Sequence, residues 1–503
     1  MSSSQDLILA LDQGTTSSRA LIFNQQAEVL AIGQKGFAQH YPHPGWVEHD
    51  ALEILSSQMT SISDALATGD IDPARIRGIG ITNQRETTVL WNRSTGLPVA
   101  PAIVWQCRRT ADMIDELASH PDTVARIRQD TGLVPDAYFS ATKIKWLLDT
   151  LPGVREQAER GELAFGTIDS WLIWQLTGGK THATDYTNAS RTMLFNIHEG
   201  CWDEWLLDLF DIPAQILPEV LPSAAFFGET RHSVLPDGIP ICGVAGDQQA
   251  ALFGQTCFTP GEAKNTYGTG CFLLVHTGTN ATLSKNQMLT TIAASAPGST
   301  QLEYALEGSV FVSGALIQWL RDELGIIKKA SEAATLAQEV PDTGGVYVVP
   351  AFTGLGAPYW DMEARGALLG LTRGTTKQHI IRAALEAMAF QLSDLMDAVR
   401  ADTSLALKSL KVDGGASAND FLLQFQSDIL GAEIVRPNNR ETTTLGAAFL
   451  AGLSSGFWDD TDELIELVSS KKHVTFSPHM TVEEREKHLD GWHQAVERVL
   501  SKR

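Results

Sequence analysis

Positive charge is scarce in this chain. Its 38 lysines and arginines stand against 60 aspartates and glutamates, a net charge of −22. A surface this acidic repels phosphate backbones and anionic headgroups, which argues against a nucleic-acid partner or an anionic membrane. An anionic ligand would have to be held locally, by backbone amides, a few Arg or Lys, and a metal ion. Cysteine is sparse as well. Cys107, Cys201, Cys242, Cys257 and Cys271 are widely spaced, odd in number and form no CxxC, so reduced thiols in a cytoplasmic protein are expected. No apolar run approaches the ~18–20 residues of a membrane span. No basic stretch precedes the first apolar segment either, so no membrane insertion is expected. Two familiar phosphate devices are also missing. Gly178-Gly-Lys180-Thr lacks the upstream glycine of GxxxxGK[ST], and Tyr267-Gly-Thr-Gly-Cys-Phe-Leu breaks the GxGxxG pattern, which weakens P-loop and dinucleotide-binding readings.

What is present suggests a large globular enzyme. Hydrophobic residues make up 43% and charged residues 19%, an ordinary globular balance. A length of 503 residues exceeds one hydrophobic core, so two large domains are expected, at 1–253 and 254–503. Leu7–Leu11 reads as a buried strand, Asp12–Ser18 as a polar turn, and Arg19–Phe23 as a second strand, giving a hairpin. Residues 51–69 carry a helical pattern and 77–81 another buried strand, which together indicate an α/β fold. A Pro-rich stretch from Asp211 to Pro240 precedes a new strand at 239–245. A second strand–glycine turn–strand unit follows at Lys264–Val275. The layout reads as a duplication, each half presenting one glycine turn to a shared cleft. Apolar residues from Ile380 to Val399 recur at 3.6-residue spacing, predicting a core helix over about 379–400.

Four polar clusters carry chemistry. In Asp12-Gln-Gly14-Thr15-Thr16-Ser17-Ser18-Arg19, consecutive amides can form an anion nest. Hydroxyls and Arg19 add to it, and Asp12 at a strand end could hold hydrated Mg²⁺. In Gly246-Asp247-Gln248 a strand runs into a helix, so Asp247 could cap the helix or act as a general base. Asp413-Gly-Gly415-Ala-Ser-Ala-Asn419 suits a strand-to-helix turn or close approach of an adenosine. Arg85-Glu86 after a strand could be a surface ion pair or could bind adjacent hydroxyls. Trp105, Tyr138 and Phe272 are candidates for an apolar pocket wall.

Several stretches together resemble the FGGY family of carbohydrate kinases, over nearly the whole chain. They include Leu11-Asp-Gln-Gly-Thr-Thr-Ser-Ser-Arg-Ala20, Gly45-Trp-Val-Glu-His-Asp50, Ile79-Gly-Ile-Thr-Asn-Gln-Arg-Glu-Thr87 and Thr184-Asp-Tyr-Thr-Asn-Ala-Ser-Arg-Thr192. Gly246-Asp-Gln-Gln-Ala-Ala-Leu-Phe-Gly254, Lys264-Asn-Thr-Tyr-Gly-Thr-Gly-Cys271 and Pro350-Ala-Phe-Thr-Gly-Leu-Gly-Ala-Pro-Tyr-Trp360 continue the match. The resemblance implies an actin-like ATPase fold, two ribonuclease-H-like domains around a central cleft. It also implies ATP-dependent phosphorylation of glycerol to sn-glycerol 3-phosphate. By the same resemblance Arg85, Glu86, Tyr138, Asp247 and Gln248 would hold glycerol, with Trp105 and Phe272 against its carbons and Asp247 as base. Thr15, Thr16, Ser17, Arg19, Gln248, Thr269, Gly314, Gln318, Gly415 and Asn419 would bind ATP, with Mg²⁺ held by Asp12 and Asp247 through water. A homodimer or homotetramer is expected. The loop Glu229–Gly238 lacks the glycine run, and the arginine just before the Ile-Pro strand, by which some bacterial members bind fructose 1,6-bisphosphate.

Overall fold

Two mixed sheets built on the same plan form the centres of the two halves. The computed structural model describes residues 6–299, 301–439 and 441–501. In the first sheet, Leu7–Gln13, Ser17–Phe23 and Val29–Gly36 form an antiparallel meander. Ile76–Asn83 and then Ile241–Gly246 add in parallel beside Leu7–Gln13. In the second sheet, Ala263–Tyr267, Cys271–Gly278 and Tyr304–Val310 repeat the antiparallel triplet. Leu410–Gly414 and Ile434–Pro437 repeat the parallel pair. Leu289–Ile292 and His473–Phe476 extend its two edges. The duplication expected from two strand–glycine–strand units is therefore present in strand order, although the sequences of the two hairpins differ.

The expected elements form, with shifted ends. The helix over Ala51–Gly69 starts at Asp50, whose carboxylate accepts from the amides of Leu52 and Glu53, satisfying donors the helix itself leaves open. The long helix runs Lys377–Thr403 and buries Ile381, Leu385, Met388, Leu392, Leu395, Met396 and Val399 in the core of the second half. The polar segment Asp12–Ser18 is mostly strand. Asp12 pairs with Arg19 and Gln13 with Ser18, so only Gly14–Thr16 turn. Polar residues extend these strands because the carboxyl end of the sheet faces a polar site.

The halves meet through two crossing helices. Asp247–Gly254 leaves the first sheet, and Thr442–Ser454 packs across it from the second half. Side chains would hold these surfaces apart, and glycines remove them. A Cβ on Gly80 would lie 2.1 Å from the carbonyl oxygen of Ala447, and one on Gly446 would lie 1.8 Å from that of Ala250. Gly80 inside the Ile76–Asn83 strand thus seats a helix rather than weakening a strand. No described helix is long and apolar enough to cross a membrane, and all five cysteines are free.

Candidate active site

The register of the two sheets builds the site. Directly paired residues point to the same face. In the first sheet Arg19, Asp12 and Thr82 therefore form one row. In the second sheet Ser309, Phe272, Thr266 and Asp413 form a row, and Glu307, Leu274, Lys264 and Lys411 form the next. The helix Asp247–Gly254 lies between the sheets. Lys264 Nζ donates to the Gln248 side-chain carbonyl, to Thr266 Oγ1 at 3.1 Å and to the carbonyl of Phe272 at 3.4 Å. Burial pulls the Lys264 ammonium down to about 8.

Arg85 and Glu86 are 3% and 1% exposed, which rules out a surface ion pair. They also do not serve each other first. Arg85 Nη1 and Nη2 donate to the two carboxylate oxygens of Glu307, at 2.5 and 2.9 Å. Nη1 also reaches Gln249 Oε1 at 3.1 Å. Arg85 Nε lies 3.2 Å from Asp247 Oδ1 and 3.9 Å from Glu86 Oε1. Glu86 Oε1 instead accepts from Arg191 Nε at 2.7 Å. Glu86 has φ +62°, a left-handed conformation that costs a non-glycine residue energy. Its backbone is pinned in place, with the Thr87 amide on the Arg85 carbonyl at 2.7 Å and Ser140 Oγ on the Glu86 carbonyl at 3.0 Å. Strain held this firmly beside buried charge makes Glu86 a candidate functional position.

Aromatic residues flank the pair. Trp105 and Tyr138 meet edge to face at 5.5 Å. Trp105 Nε1 donates to Thr15 Oγ1 at 3.1 Å, tying this wall to the first glycine turn. The Tyr138 segment hangs on Lys143, whose Nζ donates to the carbonyls of Ala137, Tyr138 and Phe139 at 2.8, 2.5 and 3.0 Å. Burial lowers that ammonium to about 7. Phe272 stands on the second sheet, on the face that also carries Glu307.

Asp247 is the first residue of its helix, and Gly246 occupies the cap position. Among the backbone donors of the described residues, the Asp247 carboxylate accepts only from the amide of Gln248, at 2.8 Å, so it does not cap in the usual N2 or N3 manner. Its side chain remains one-third exposed. Asp12 is pushed up to about 6, chiefly by burial and further by Asp247 and Glu441, with Arg19 opposing. A cluster of carboxylates that raises the affinity of Asp12 for a proton also favours a cation. Among the described residues no three His, Cys, Asp or Glu form a metal cage. The neighbouring carboxylates of Asp12 and Asp247 fit the donor set of Mg²⁺, which keeps several waters and takes few protein ligands. Arg19 is shared between Asp12, at 3.6 Å, and the Glu441 carboxylate.

The remaining residues group around the second turn. The carbonyl of Thr269 accepts from the amides of Ser313 and Ala315, at 2.9 and 3.0 Å, and Gly314 donates to the carbonyl of Gly268 at 3.1 Å. A Cβ on Gly314 would fall 2.4 Å from that oxygen. The turn therefore docks on the start of the helix Gly314–Asp322, and Gln318 lies exposed one turn further along. Gly414 pairs with Tyr267, which brings exposed Gly415 beside the same turn, with open space where a Cβ would stand. Asn419 caps the helix Asp420–Leu430 through Oδ1, on the Leu422 amide at 3.0 Å. Thr15 and Thr16 lie in the first turn and Ser17 opens the strand after it, with the Gly14 amide on the Ser17 carbonyl at 3.0 Å closing the turn. The sequence reading missed Arg191, Lys264, Glu307 and Glu441. For Lys264 and Glu307 a signal existed, since each is a charge inside an otherwise buried strand.

Two ribonuclease-H-like domains around a central cleft define the class, an enzyme of the actin-like ATPase fold. The N-terminal domain of the FGGY family of carbohydrate kinases matches residues 7–254, and the C-terminal domain of that family matches 263–455. The chain belongs to the FGGY family of carbohydrate kinases. It is 59% identical over 493 residues to a glycerol kinase of Carboxydothermus hydrogenoformans, covering 98% of each chain. It is 58% identical over 496 residues to one of Shewanella pealeana, covering 99% of this chain and 100% of that one. Its structure is similar to Plasmodium falciparum glycerol kinase solved with ADP, with TM-score 0.93, 37% identity and 99% of each chain covered. A xylulose kinase from Lactobacillus acidophilus shares the fold, with TM-score 0.87 and 22% identity over 98% of this chain and 97% of that one.

Proposed function

We propose that this chain transfers the γ-phosphoryl group of ATP to a terminal hydroxyl of glycerol, giving sn-glycerol 3-phosphate. The observation that carries the reading is the Arg85–Glu86–Asp247 arrangement, in which a buried donor and a buried acceptor stand beside a partly exposed carboxylate. Arg85 donates to one substrate hydroxyl and Glu86 accepts from another. Trp105, Tyr138 and Phe272 cover the carbon chain, and Asp247 takes the proton of the attacking hydroxyl. In this reading residues 1–253 carry the polyol and the first phosphate turn. Residues 254–503 carry the adenosine side, with Thr269, Gly314, Gln318, Gly415 and Asn419.

Thr15, Thr16, Ser17 and Arg19 face the phosphates, and Gln248 stands between nucleotide and polyol. Phosphoryl transfer needs positioning and charge stabilisation more than covalent help from protein. Asp12 and Asp247 would hold Mg²⁺ through water. When bound, the ion neutralises charge that builds on the phosphate oxygens. Closure of the two halves would exclude water and limit idle hydrolysis of ATP. A coupled ADP-release assay with glycerol, xylulose and erythritol tests the reading. Turnover should be fastest on glycerol. Faster turnover on xylulose or erythritol would reassign the substrate, and no polyol-dependent release would point to a nucleotide-binding switch instead.

A further inference from the structure

The two residues proposed to bind the polyol do not hold their own positions. Glu307 sits in the middle of the Tyr304–Val310 strand of the second sheet and is fully buried. Both of its oxygens take Arg85, in the bidentate fork that fixes a guanidinium plane. Its Oε1 also accepts from Arg191 Nη2 at 3.2 Å. Arg191, equally buried, passes the contact on through Nε to Glu86 Oε1 at 2.7 Å. One carboxylate of the second half thus organises two guanidiniums of the first half, and through one of them a second carboxylate.

The chain of contacts leaves a specific remainder. Arg85 spends both hydrogens of Nη1 and one of Nη2 on Glu307 and Gln249, which leaves Nε, turned toward Asp247, and the second hydrogen of Nη2. On Glu86, Oε1 is occupied by Arg191, and Oε2 has no protein hydrogen bond among the described residues. Glu86 is therefore bound through one oxygen with the other left over, and Arg85 faces the partly exposed Asp247 carboxylate with Nε and keeps one Nη2 hydrogen beside it. The docking that sets this up is firm. The Thr290 amide donates to the Gly132 carbonyl at 2.9 Å, and Tyr304 Oη donates to the Ile197 carbonyl at 2.9 Å, both across the two halves.

We propose that Glu307 is the positioning residue of the polyol site, aiming Arg85 directly and Glu86 through Arg191, so that the hydroxyl-binding pair is assembled only when the second half is docked. The inference rests on the assignment of Arg85 and Glu86 to the polyol. A glutamine at 307 would keep the shape but put a donor against guanidinium donors and remove the compensating charge. An aspartate would keep the charge and lose reach.

The test is a kinetic comparison of Glu307→Gln and Glu307→Asp in the full chain, with KM read separately for glycerol and ATP. For Glu307→Gln, KM for glycerol should rise by roughly 10- to 100-fold, as for loss of a buried charged pair that positions a ligand, while KM for ATP stays within about threefold. For Glu307→Asp the rise should be intermediate. Equal rises in both constants, or no rise for glycerol, would overturn the proposal. If Glu307→Gln fails to bind ATP in a direct titration, the fold is lost and the aspartate variant decides by the same split. Wild type on the polyol panel separates the two readings. If wild type prefers another polyol, the substrate assignment fails, and the split on that preferred substrate decides the role of Glu307.

Discussion

Arg85 Nε lies 3.2 Å from Asp247 Oδ1, joining the segment after the Ile76–Asn83 strand to the first turn of the Asp247–Gly254 helix. The contact sets where the carboxylate points. Asp247 stays one-third exposed while its cationic neighbour is almost wholly buried, so the carboxylate is the member of the pair a substrate can reach. Lys264 reaches Gln248, the next residue, from the other sheet, so the helix start is held from both sides.

Asp247→Asn keeps the size of the side chain and removes its ability to accept a proton. We expect kcat to fall by about 10²–10⁴-fold, the usual contribution of a general base, with a smaller change in KM for glycerol. A kcat within about tenfold of wild type would remove Asp247 from that role.

Arg85→Ala strands Glu307 without its main partner. Breaking a buried ion pair from one side costs about 3–5 kcal/mol, which urea denaturation should register. Steady-state kinetics should show KM for glycerol raised well above any change in KM for ATP. An unchanged KM for glycerol would take Arg85 out of the pocket.

Gly314→Ala acts on the other side of the cleft. Its Cβ would fall 2.4 Å from the Gly268 carbonyl oxygen, so the Thr269 turn must move. Overpacking of this kind costs about 1–3 kcal/mol; where that cost falls on nucleotide binding, KM for ATP should rise by roughly 5- to 150-fold. KM for glycerol should barely change, and the opposite pattern would exclude the turn from the nucleotide site.

Asp169, which accepts from Asn83 Nδ2 at 3.4 Å, offers a pH test of stability. Burial pushes its carboxyl up to about 7, against hydrogen bonds from Thr167 and Thr184. A raised folded-state value means that the fold favours the protonated form. Its contribution is full below the ordinary value of 3.8 and is lost as pH rises through about 7. Thermal midpoints without ligand should therefore fall between pH 5 and pH 8. Asp169→Asn, which stays neutral, should flatten part of that slope. An identical slope in the variant would remove Asp169 as its source.

A chelator should abolish phosphoryl transfer and leave the melting temperature of the free protein unchanged. The described residues form no closed metal cage, so no dependence of the fold on the ion is expected. A large drop in melting temperature would indicate a structural metal instead.

The local order of the chain was legible because it depends on near neighbours. Apolar runs gave the strands of the first hairpin, and 3.6-residue spacing gave the helices over Ala51–Gly69 and Lys377–Thr403. The glycine turns, Arg85-Glu86, and Asp247 at a helix start could be picked out by residue type. Their partners could not. Glu307 lies 222 residues from Arg85 and Arg191 lies 105 from Glu86, and nothing local links them. Which charge answers a buried charge is decided by strand register and by how the second sheet docks on the first half. The same holds for Gly80 and Gly446, whose need for no side chain appears only when the Thr442–Ser454 helix crosses the first sheet. Sequence by itself determined the elements and the chemistry available in them. Tertiary structure alone decided which groups were desolvated together, and burial is what turns a charged residue on a strand into a positioned part of a site.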